Sequence, residues 1–594
     1  MTALTDHRDD LDRRADAIAV TTLLNCYLRE AGRPVVDGER IRLPRLGLDL
    51  HVPVRYRSAT GQHVWTLPVQ LAPGTPLDAI ALAVLIAVEL AGPIAGPAEI
   101  GSLIGAVAES TRNVAAFLDA PPIAAETTPY LAAEQSLVAG HPLHPTPKSR
   151  APMVGADVPR YAPELRTGFP LHWFAVDRSM VSEDSALAEP ATSLLAGLLG
   201  AEPDTELDLA RRVRDLGDQW ALLPAHPWQA RRLAAREDVG RLSASGRLVD
   251  LGPAGAPWYP TSSVRTVYRP DVPFQLKLTL EARITNSVRR NLRKELARGT
   301  EVCRLLAAGL AAELSRRYPA FDIVRDPAWA TVDTGNEGES GFELVLRDNP
   351  YPATEPVDVS VVAALCADRA DGGPPRVARL VRRIATAAGR PAGDVAREWF
   401  ARFVGLSADP LLWLYTEWGV VLEAHQQNTL LELDDGWPAA LRYRDNQGYY
   451  FADSHSDRLR GLLPTLNEAS DTICADAVAQ ERLGYYLVVN NLLGLVGALG
   501  VGGVVDERVL LSDLADRLRA VAPDLPLVRR LVSEPVLRCK GNLRTRLADL
   551  DELTGELATQ SVYVGIPNPL AGCAPAGWDL TAHAAEVVPA GDPA

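Results

Sequence analysis

The first 135 residues carry apolar side chains mostly at helical spacing, with one extended section between the helical ones. The stretch DDLDRRADAIAVTTLLNCYLREAG repeats apolar positions every three to four residues and stops at Gly32, which predicts a helix ending there. In residues 42–69, short stretches with alternating side chains are separated by turn residues, which is typical of strands. Residues 77–120 predict two helices, and their apolar run 79–88 is too short to span a bilayer. The pattern predicts a mainly helical N-terminal region over 1–135.

Residues 136–320 are richer in prolines, aromatics and polar motifs. SSVRTVY, the turn RPDVP and FQLKLTLEA predict a β-hairpin. With period two, Ser263, Arg265 and Val267 share one face of the first strand. Lys277 lies with its polar neighbours on one face of the second strand, opposite a leucine-rich face. The helical spacing from Asn286 to about residue 318 predicts one long helix after the hairpin.

Residues 321–594 are mixed and later mostly helical. VVLEAHQQNTLLEL predicts a strand on each side of a polar segment, and the turn DDGW then leads into ALRYRDNQG. In an extended segment Glu423, His425 and Gln427 project to the same side, and Asp445 follows on the returning strand. The three composition zones predict domains over 1–135, 136–320 and 321–594.

Composition narrows the class of protein. A chain of 594 residues is too long for a single core. Its net charge of −15 argues against broad nucleic-acid binding, although it permits a local basic pocket. The six cysteines are scattered without a close pair, which disfavours a metal cluster or a disulfide framework. The charged N-terminus lacks the apolar core of a signal peptide, and we expect a cytoplasmic enzyme that does not enter a membrane.

Two polar constellations suggest nucleotide chemistry. The lysine and arginine of the hairpin suit a triphosphate, although a solvated strand face is the alternative. Glu423 and Asp445 suit Mg²⁺ on nucleotide phosphates, in a loosely kinase-like arrangement, although a polar hairpin turn is the alternative. Thr285 and Arg289 lie four residues apart near the start of the predicted helix, where anions are favoured. The sequence contains no Walker-type phosphate loop.

The motifs GHPLHPTPK, HPWQ, SSVRT, KLTLEARITNSVR, EAHQQN and RDNQG occur in this order. Together they resemble the NRPS-independent siderophore synthetases, the aerobactin-synthetase-like IucA/IucC family, over about residues 130–570. The resemblance implies an α+β, multidomain cupped-hand architecture. The thumb would be 1–135, the fingers 136–320 with an antiparallel sheet, and the palm 321–594, mixed and largely helical. It also implies a homodimer.

The resemblance further implies a reaction. Such enzymes use ATP and Mg²⁺ to adenylate a carboxylate, most often citrate or a citrate derivative. An amine or hydroxyl nucleophile then displaces AMP and forms an amide or ester. Fixed positive or donor groups must offset the repulsion between the carboxylate and the α-phosphate. The proline-stiffened GHPLHPTPK segment is expected to supply His144, and Lys148 is a further candidate.

Matching the motifs residue by residue assigns expected roles. The positions expected to bind ATP are Ser263, Arg265, Thr266, Lys277, His425 and Gln427. Those expected to bind the substrate carboxylate are His144, Thr285, Arg289 and Lys540. The expected metal ligands are Glu423 and Asp445, and the expected catalytic residues are His144, Lys277 and Arg289. Functional and structural roles remain open for His141, Lys148 and His226.

Three alternatives remain at this level. A phosphotransferase with a kinase-like palm would give ADP instead of pyrophosphate. A synthetase that acts late in a pathway, on a succinyl or citryl hydroxamate intermediate, is the second alternative. A non-enzymatic ferric-siderophore-binding protein is disfavoured by the wide spacing of Cys474, Cys539 and Cys573. The carboxylate, the nucleophile, the product stereochemistry and the oligomeric state are not readable from the sequence.

Overall fold

A computed structural model describes residues 2–571, apart from 201–216, 554–559 and the single positions 34, 37, 73, 93, 337, 355, 370, 371 and 446. The helices are Thr2–Ala31, Ala79–Ala91, Pro97–Leu118, Pro129–Glu134, Asp157–Tyr161, Ala191–Gly200, Pro227–Ala234, Glu237–Ala244, Arg293–Leu305, Ala311–Arg317, Val362–Cys366, Arg376–Ala388, Ala392–Trp418, Ser456–Leu462, Asp476–Leu483, Leu493–Val501, Glu507–Val521, Pro526–Ser533 and Asn542–Leu547. Two π-helical stretches, Leu306–Leu310 and Gly484–Leu492, join neighbouring helices.

The strands are β1 Arg40–Leu43, β2 Leu48–His51, β3 Val54–Tyr56, β4 Val64–Trp65, β5 Val69–Ala72, β6 Thr75–Leu77, β7 Phe169–Asp177, β8 Val181–Ser185, β9 Trp220–Ala225, β10 Leu248–Pro260, β11 Thr266–Tyr268, β12 Phe274–Leu278, β13 Leu280–Ile284, β14 Ser287–Arg289, β15 Phe321–Ile323, β16 Ala328–Val332, β17 Leu344–Asp348, β18 Val359–Val361, β19 Val420–Leu422, β20 Thr429–Asp434, β21 Trp437–Tyr443, β22 Tyr449–Ala452, β23 Ile473–Cys474, β24 Val536–Lys540 and β25 Tyr563–Pro567. The chain is therefore α+β, as predicted.

The N-terminal region has the predicted order of helix, short strands and two helices. The sheet β1-β2-β5-β6 and the pair β3–β4 occupy the extended section. Asp78 caps the helix Ala79–Ala91 by accepting a hydrogen bond of 2.7 Å from Ala81 N. The apolar run of this helix is buried against the sheet and the first helix.

An antiparallel sheet with the order β8-β16-β17-β12-β11-β10-β7-β9 forms the middle of the molecule. Its apolar face packs on the helices Ala191–Gly200 and Pro227–Ala234. Strands β16 and β17 follow residue 320, whereas residues 302–314 precede it and pack in the C-terminal core. The boundaries at 135 and 320 remain predictions.

The predicted hairpin is present as β11 and β12, but the predicted face of its first strand is wrong. The strand begins only at Thr266, which pairs with Lys277. Val267 pairs with Leu276, and both side chains enter the core. Val264 has a φ of 66°, and this left-handed residue breaks the alternation before the strand starts. Ser263 and Arg265 therefore reach the polar side from a turn.

The long helix predicted from Asn286 is also wrong at its start. Strands β13 and β14 form a second hairpin, and the helix begins at Arg293. The alternating residues Leu280, Ala282 and Ile284 are buried in the core of the sheet, which favours a strand over a helix. The side chain of Glu295 accepts a hydrogen bond of 3.0 Å from Leu292 N and stabilises the new helix start.

The C-terminal region surrounds a large core with helices and three small sheets, β15-β21-β20-β18, β19-β22-β23 and β24-β25. Within the described part of the chain, one helical stretch, Asp476–Val501, has the length and hydropathy of a membrane span. Of its apolar window, 83% is buried inside the protein, so this stretch serves as a core helix here.

The first helix packs against residues 543–547. Glu30, near the end of the first helix, accepts hydrogen bonds from Leu543 N at 2.8 Å and from Arg544 N at 2.9 Å. Leu543 and Leu547 are fully buried in the N-terminal core. The C-terminal strand β24 and its Lys540 are consequently held against the N-terminal region.

Candidate functional site

One cavity of about 830 Å³ lies between the eight-stranded sheet, the GHPLHPTPK segment and the C-terminal region. The structure brings every predicted site residue to its walls: His144, Ser263, Arg265, Thr266, Lys277, Thr285, Arg289, Glu423, His425, Gln427, Asp445 and Lys540. Their individual roles remain predictions, but a single chamber now connects residues that are up to 396 positions apart, from 144 to 540.

Some of the residues with unusual backbone angles lie at or next to this cavity. Val264, Thr285 and Asp445 have positive φ angles of 66°, 59° and 138°. Such angles are costly for side chains branched at Cβ, and strain of this kind accumulates at functional sites. At Val264 the unusual angle sends the apolar side chain into the core and leaves Ser263 and Arg265 at the cavity.

Hydrogen bonds join the turn before β11 to the C-terminal region. Ser263 Oγ accepts a hydrogen bond of 3.1 Å from Thr266 N, and Gln427 Nε2 donates to Ser262 Oγ at 3.2 Å. Arg265 Nη2 donates to Gln447 Oε1 at 2.6 Å. Burial, with Arg289 adding to it, lowers the pKa of Arg265 to about 10, so the guanidinium is charged at neutral pH.

Lys277 begins a row of alternating charges. It pairs with Asp445, whose Oδ1 is also 3.2 Å from Arg347 Nη2, and Arg347 contacts Asp326 through two hydrogen bonds of 2.7 and 2.9 Å. Burial lowers the pKa of Lys277 to about 8, although Asp445 opposes the change. Burial raises the pKa of Asp445, but Lys277 and Arg347 outweigh it and hold that pKa well below its ordinary value.

The two predicted metal ligands come from neighbouring turns. Glu423 N donates to Gly448 O at 2.8 Å, which ties the end of β19 to the turn that carries Asp445. A Cβ at Gly448 would lie 2.6 Å from Glu423 Cβ, so only glycine permits this approach. Tyr450 OH donates to Glu423 Oε1 and orients that carboxylate.

These two residues fit Mg²⁺ on a nucleotide. Magnesium prefers oxygen ligands and is usually held by one or two carboxylates together with substrate phosphates and water. Glu423 and Asp445 supply such carboxylates at a cavity wall that also carries Lys277 and Arg265. In the described residues no group of three or more histidine, cysteine or acidic side chains forms an all-protein metal cage.

The segment around Glu423, His425 and Gln427 is not extended, contrary to the prediction. Strands do flank it, but residues 426–428 form a turn. Arg444 donates to Gln427 O at 2.8 Å and pairs with Glu134 Oε1 at 2.7 Å, which fixes the turn. The residues still reach one cavity because the turn, rather than strand alternation, orients them. Burial lowers the pKa of His425, whose ring is thus uncharged at neutral pH.

Arg289 is a half-buried cation that forms no ion pair with a carboxylate of the described residues. Its Nη2 donates to Ile284 O and to Thr285 Oγ1, both at 2.9 Å, across the β13–β14 hairpin. Among the described residues, its Nε makes no hydrogen bond and no carboxylate forms an ion pair with it. Thr285 and Arg289 were predicted near the start of a helix, but they lie in the β13–β14 hairpin instead.

His144 is held in one neutral tautomer. Its Nδ1 accepts a hydrogen bond of 3.2 Å from Thr146 N, so Nε2 carries the proton and donates to Asn286 Oδ1 at 3.0 Å. Burial lowers the pKa of His144 to about 4, although Asn286 and Glu552 oppose the change. The ring is therefore uncharged at neutral pH, and both nitrogens are engaged. The His144 ring therefore suits the role of a hydrogen-bond donor better than that of a general base.

Two of the open residues have structural partners. Lys148 Nζ pairs with Glu164 at 2.6 Å, and the same carboxylate takes Arg150 Nη2 at 2.7 Å. His226 is fully buried away from the cavity and caps the helix Pro227–Ala234 by accepting from Trp228 N at 3.1 Å. These contacts account for Lys148 and His226 without a catalytic role.

His141 lies at the cavity beside the C-terminal region. Its Nδ1 accepts a hydrogen bond of 3.0 Å from Leu143 N, and its Nε2 is 3.2 Å from Asn490 Nδ2. Burial, together with the nearby His144, lowers the pKa of His141 to about 3. The ring is neutral and ties the proline-rich segment to the π-helical stretch Gly484–Leu492.

Several residues of the site were missed in the sequence. Gln447 and Asn286 lie inside the quoted motifs RDNQG and KLTLEARITNSVR, which was the only local signal for them. Arg347 and Glu552 also line the cavity, yet nothing in their surroundings distinguishes them from ordinary charged residues. Lys540 lies 3.5 Å from Glu552 and 5.5 Å from the centre of the Tyr486 ring.

Comparisons with known proteins match two family models. Residues 129–367 match the model described as the IucA / IucC family, and residues 397–555 match that described as ferric iron reductase FhuF-like transporter. The chain is 39% identical to the rhizobactin siderophore biosynthesis protein RhbC of Rhizobium meliloti, over 94% of this chain and 97% of that protein. It is 33% identical to a spermidine-citrate ligase of Bacillus anthracis, over 94% and 98%.

Solved structures show the same similarity. The ATP-bound aerobactin synthetase IucA of Klebsiella pneumoniae superposes with a TM-score of 0.81 and 28% sequence identity. The match covers 93% of this chain and 99% of that one. The whole architecture, including the N-terminal region, is thus shared.

Proposed function

The chain belongs to the IucA/IucC family of siderophore synthetases, and from this premise we propose that it adenylates a carboxylate with Mg²⁺ and ATP. Citrate or a citrate derivative is the acid, and an amine or hydroxyl nucleophile then displaces AMP to give an amide or ester. Relatives named as citrate ligases, for spermidine and for 2,3-diaminopropanoate, support the citrate part. The ATP-bound relative supports the nucleotide part.

The observation that carries this proposal is the unpaired guanidinium of Arg289. Partial burial makes an unpaired charge costly, so such a group favours an anionic ligand. The guanidinium of Arg289 and the ammonium of Lys540 offer donors to a carboxylate in the same chamber as Lys277 and Arg265. A cavity with these groups can bring two anions together.

The first half-reaction joins the substrate carboxylate to the α-phosphate. Lys277 and Arg265 would hold phosphate oxygens, while Arg289 would face the carboxylate. The Nε2–H of His144 would reach the carboxylate only by leaving Asn286 Oδ1, its partner in the structure. These groups are positioned before the reaction and offset the charge that develops in the transition state. Glu423 and Asp445 would hold Mg²⁺, which when bound supplies charge neutralisation at the phosphates.

Lys277 has two alternative partners, the carboxylate of Asp445 and a phosphate oxygen. In the structure Lys277 pairs with Asp445. If Asp445 held the metal ion, Lys277 would be released to a phosphate oxygen, and Arg347 would keep the carboxylate in place. The exchange preserves the alternation of charge, because each positive group retains a negative neighbour.

Hydroxylamine trapping tests this function. The protein is incubated with Mg²⁺, ATP and a panel of carboxylic acids, and both pyrophosphate and hydroxamate are measured. We expect citrate-dependent pyrophosphate and a citryl hydroxamate. Lys277→Ala and Arg289→Ala should each lower both by about 100-fold or more, because each removes a charge aimed at the reacting anions.

Lys294→Ala provides a matched control. Lys294 also lines the cavity, but it lies at the exposed rim and pairs with the exposed Asp471. Its loss should change the rates by less than about threefold, as for surface ion pairs. ADP formation without pyrophosphate would instead establish a phosphotransferase. Reaction only with a citryl or succinyl derivative would place the enzyme late in a pathway.

A further inference from the structure

We propose that the carboxylate of Glu552 binds the ammonium group of the acceptor and takes its proton when the nitrogen attacks the acyl adenylate. The acceptor is then a primary amine rather than an alcohol. This inference rests on the proposed function, which leaves the nucleophile open, and it assigns the second half-reaction to a wall of the cavity separate from the phosphate groups.

Glu552 is positioned by the β13–β14 hairpin. Its backbone N donates to Asn286 O at 3.3 Å, and its Oε1 accepts from Asn286 Nδ2 at 3.3 Å and from Ser561 Oγ at 3.1 Å. Its other oxygen, Oε2, has only Lys540 Nζ at 3.5 Å among the described residues. That distance exceeds a normal charge-assisted hydrogen bond, so Oε2 retains capacity for a donor.

This open oxygen lies beside the carboxylate-binding groups. Asn286 donates to Glu552 through Nδ2 and accepts from His144 through Oδ1, so a single side chain separates the two. Burial lowers the pKa of Arg289, and the charge of Glu552 opposes that change. An ammonium group on Oε2 is consequently placed next to a carboxylate held by Arg289 and His144.

The other described carboxylates of the cavity are already engaged. Asp445 pairs with Lys277 and Arg347, and Glu423 accepts from Tyr450. Glu295 caps its helix and contacts Gln447, and Asp471 lies at the solvent-exposed rim with Lys294. Glu552 is the acidic group that combines an available oxygen with proximity to Arg289. A carboxylate attracts an ammonium group through its charge, whereas a neutral hydroxyl gains only a hydrogen bond from it.

The proposed step is balanced in atoms and charge. The ammonium gives one proton to Glu552 Oε2, and its nitrogen lone pair forms the C–N bond to the acyl carbon. The bond between that carbon and the phosphate oxygen breaks, and its electron pair leaves with AMP. The second proton of the attacking nitrogen leaves with the AMP phosphate. Lys540, released from Glu552 by the ammonium, is free to pair with a substrate carboxylate.

Glu552→Gln tests the assignment because it removes the charge and keeps the shape. Hydroxylamine is largely uncharged at neutral pH, so it reports adenylation without needing an ammonium site. We expect pyrophosphate and hydroxamate formation in this variant to stay within about threefold of wild type. With 1,3-diaminopropane as the probe amine, KM for the amine should rise by about 10- to 100-fold. Glu552→Asp, which keeps the charge, should recover part of that loss.

The matched control is Asp471→Asn, the same change of carboxylate to amide at the rim of the same cavity, which should leave KM for the amine unchanged. Equal losses of hydroxamate and amide in Glu552→Gln would overturn the proposal, because Glu552 would then act only by positioning Asn286 and His144. An unchanged KM for the amine would overturn it too. Failure of the proposed function is distinguishable, since wild type itself would then yield no hydroxamate.

Discussion

At the scale of single residues, the site is governed by which charges have partners. Lys277, Asp445, Arg347 and Asp326 form a row of alternating sign that is neutral as a whole. Arg289 forms no ion pair with a carboxylate in the part of the chain that the structure describes. The residues of this row can exchange partners when a nucleotide binds, whereas Arg289 remains available to bind an anion. Both arrangements follow from the cost of an uncompensated buried charge.

The pH dependence of adenylation should report Lys277. Its pKa of about 8 in the folded protein means that raising the pH through 8 removes the charge that holds a phosphate. We expect kcat/KM for ATP, measured by pyrophosphate release, to fall above about pH 8 in wild type. This parameter reflects groups of the free enzyme.

Lys277→Arg identifies the group. Arginine stays charged throughout the alkaline range, so the fall should move to higher pH while the maximum decreases, because the guanidinium fork differs in shape from the ammonium. An alkaline fall that stays at the same pH in the variant would assign the dependence to another group.

At the scale of elements, a buried ion cluster anchors the GHPLHPTPK segment. Glu164 accepts from Lys148 at 2.6 Å and from Arg150 at 2.7 Å, and all three side chains are at most 8% exposed. Lys148 N also donates to Ser110 Oγ at 3.0 Å, which joins the segment to the helix Pro97–Leu118. The cluster thereby fixes the position of His144 four residues earlier.

Glu164→Gln should be strongly destabilising. It leaves two buried cations without an anion, which we expect to lower the free energy of unfolding by about 3–5 kcal/mol in urea denaturation. Burial raises the pKa of Glu164, but Arg150 and Lys148 outweigh it and hold the value at about 2. Its contribution is therefore complete above the unfolded-state pKa and lost as the pH falls toward 2.

The control for this variant is Glu468→Gln, the same substitution at an exposed position, for which the change should stay below about 0.5 kcal/mol. If both variants unfolded at the same urea concentration, the cluster would not anchor the segment.

At the scale of the whole molecule, the N-terminal region and residues 543–547 share one core. Leu543 and Leu547 pack among the first helix, β1 and β2, and Glu30 caps the start of their helix. Lys540 and Asn542 at the cavity directly precede these leucines. The N-terminal region thus supports the carboxylate side of the site although it contributes no predicted site residue.

Leu543→Ala tests how strongly this shared core stabilises the protein. Leu543 is completely buried, and removing its side chain should lower the free energy of unfolding by about 2–5 kcal/mol. The measurement is urea denaturation followed by circular dichroism. Leu187→Ala, at a residue 43% exposed, is the matched control and should change stability by less than about 0.5 kcal/mol. Equal effects would mean that the N-terminal region and residues 543–547 are not energetically coupled.

Elements that produce a local pattern of residues could be predicted from the sequence alone. The helices Ala79–Ala91 and Pro97–Leu118 and the hairpin of β11 and β12 follow from periodicity and turn residues within a few positions. The ordered motifs also identified the family, because residue types at given spacings are read directly from the chain. Where the backbone took a positive φ, as at Val264 and Thr285, the same periodicity predicted the wrong face or the wrong element.

Which charged residues are available for chemistry can be seen only in the folded chain. Lys148 and Arg289 look alike in the sequence, each a cation within a motif of the resemblance. In the fold, Glu164 neutralises Lys148, whereas no described carboxylate pairs with Arg289. Lys277 meets Asp445 across 168 positions, and Glu552 reaches Asn286 across 266. Periodicity arises from local backbone geometry, but the compensation of a charge depends on contacts made only when distant segments pack together.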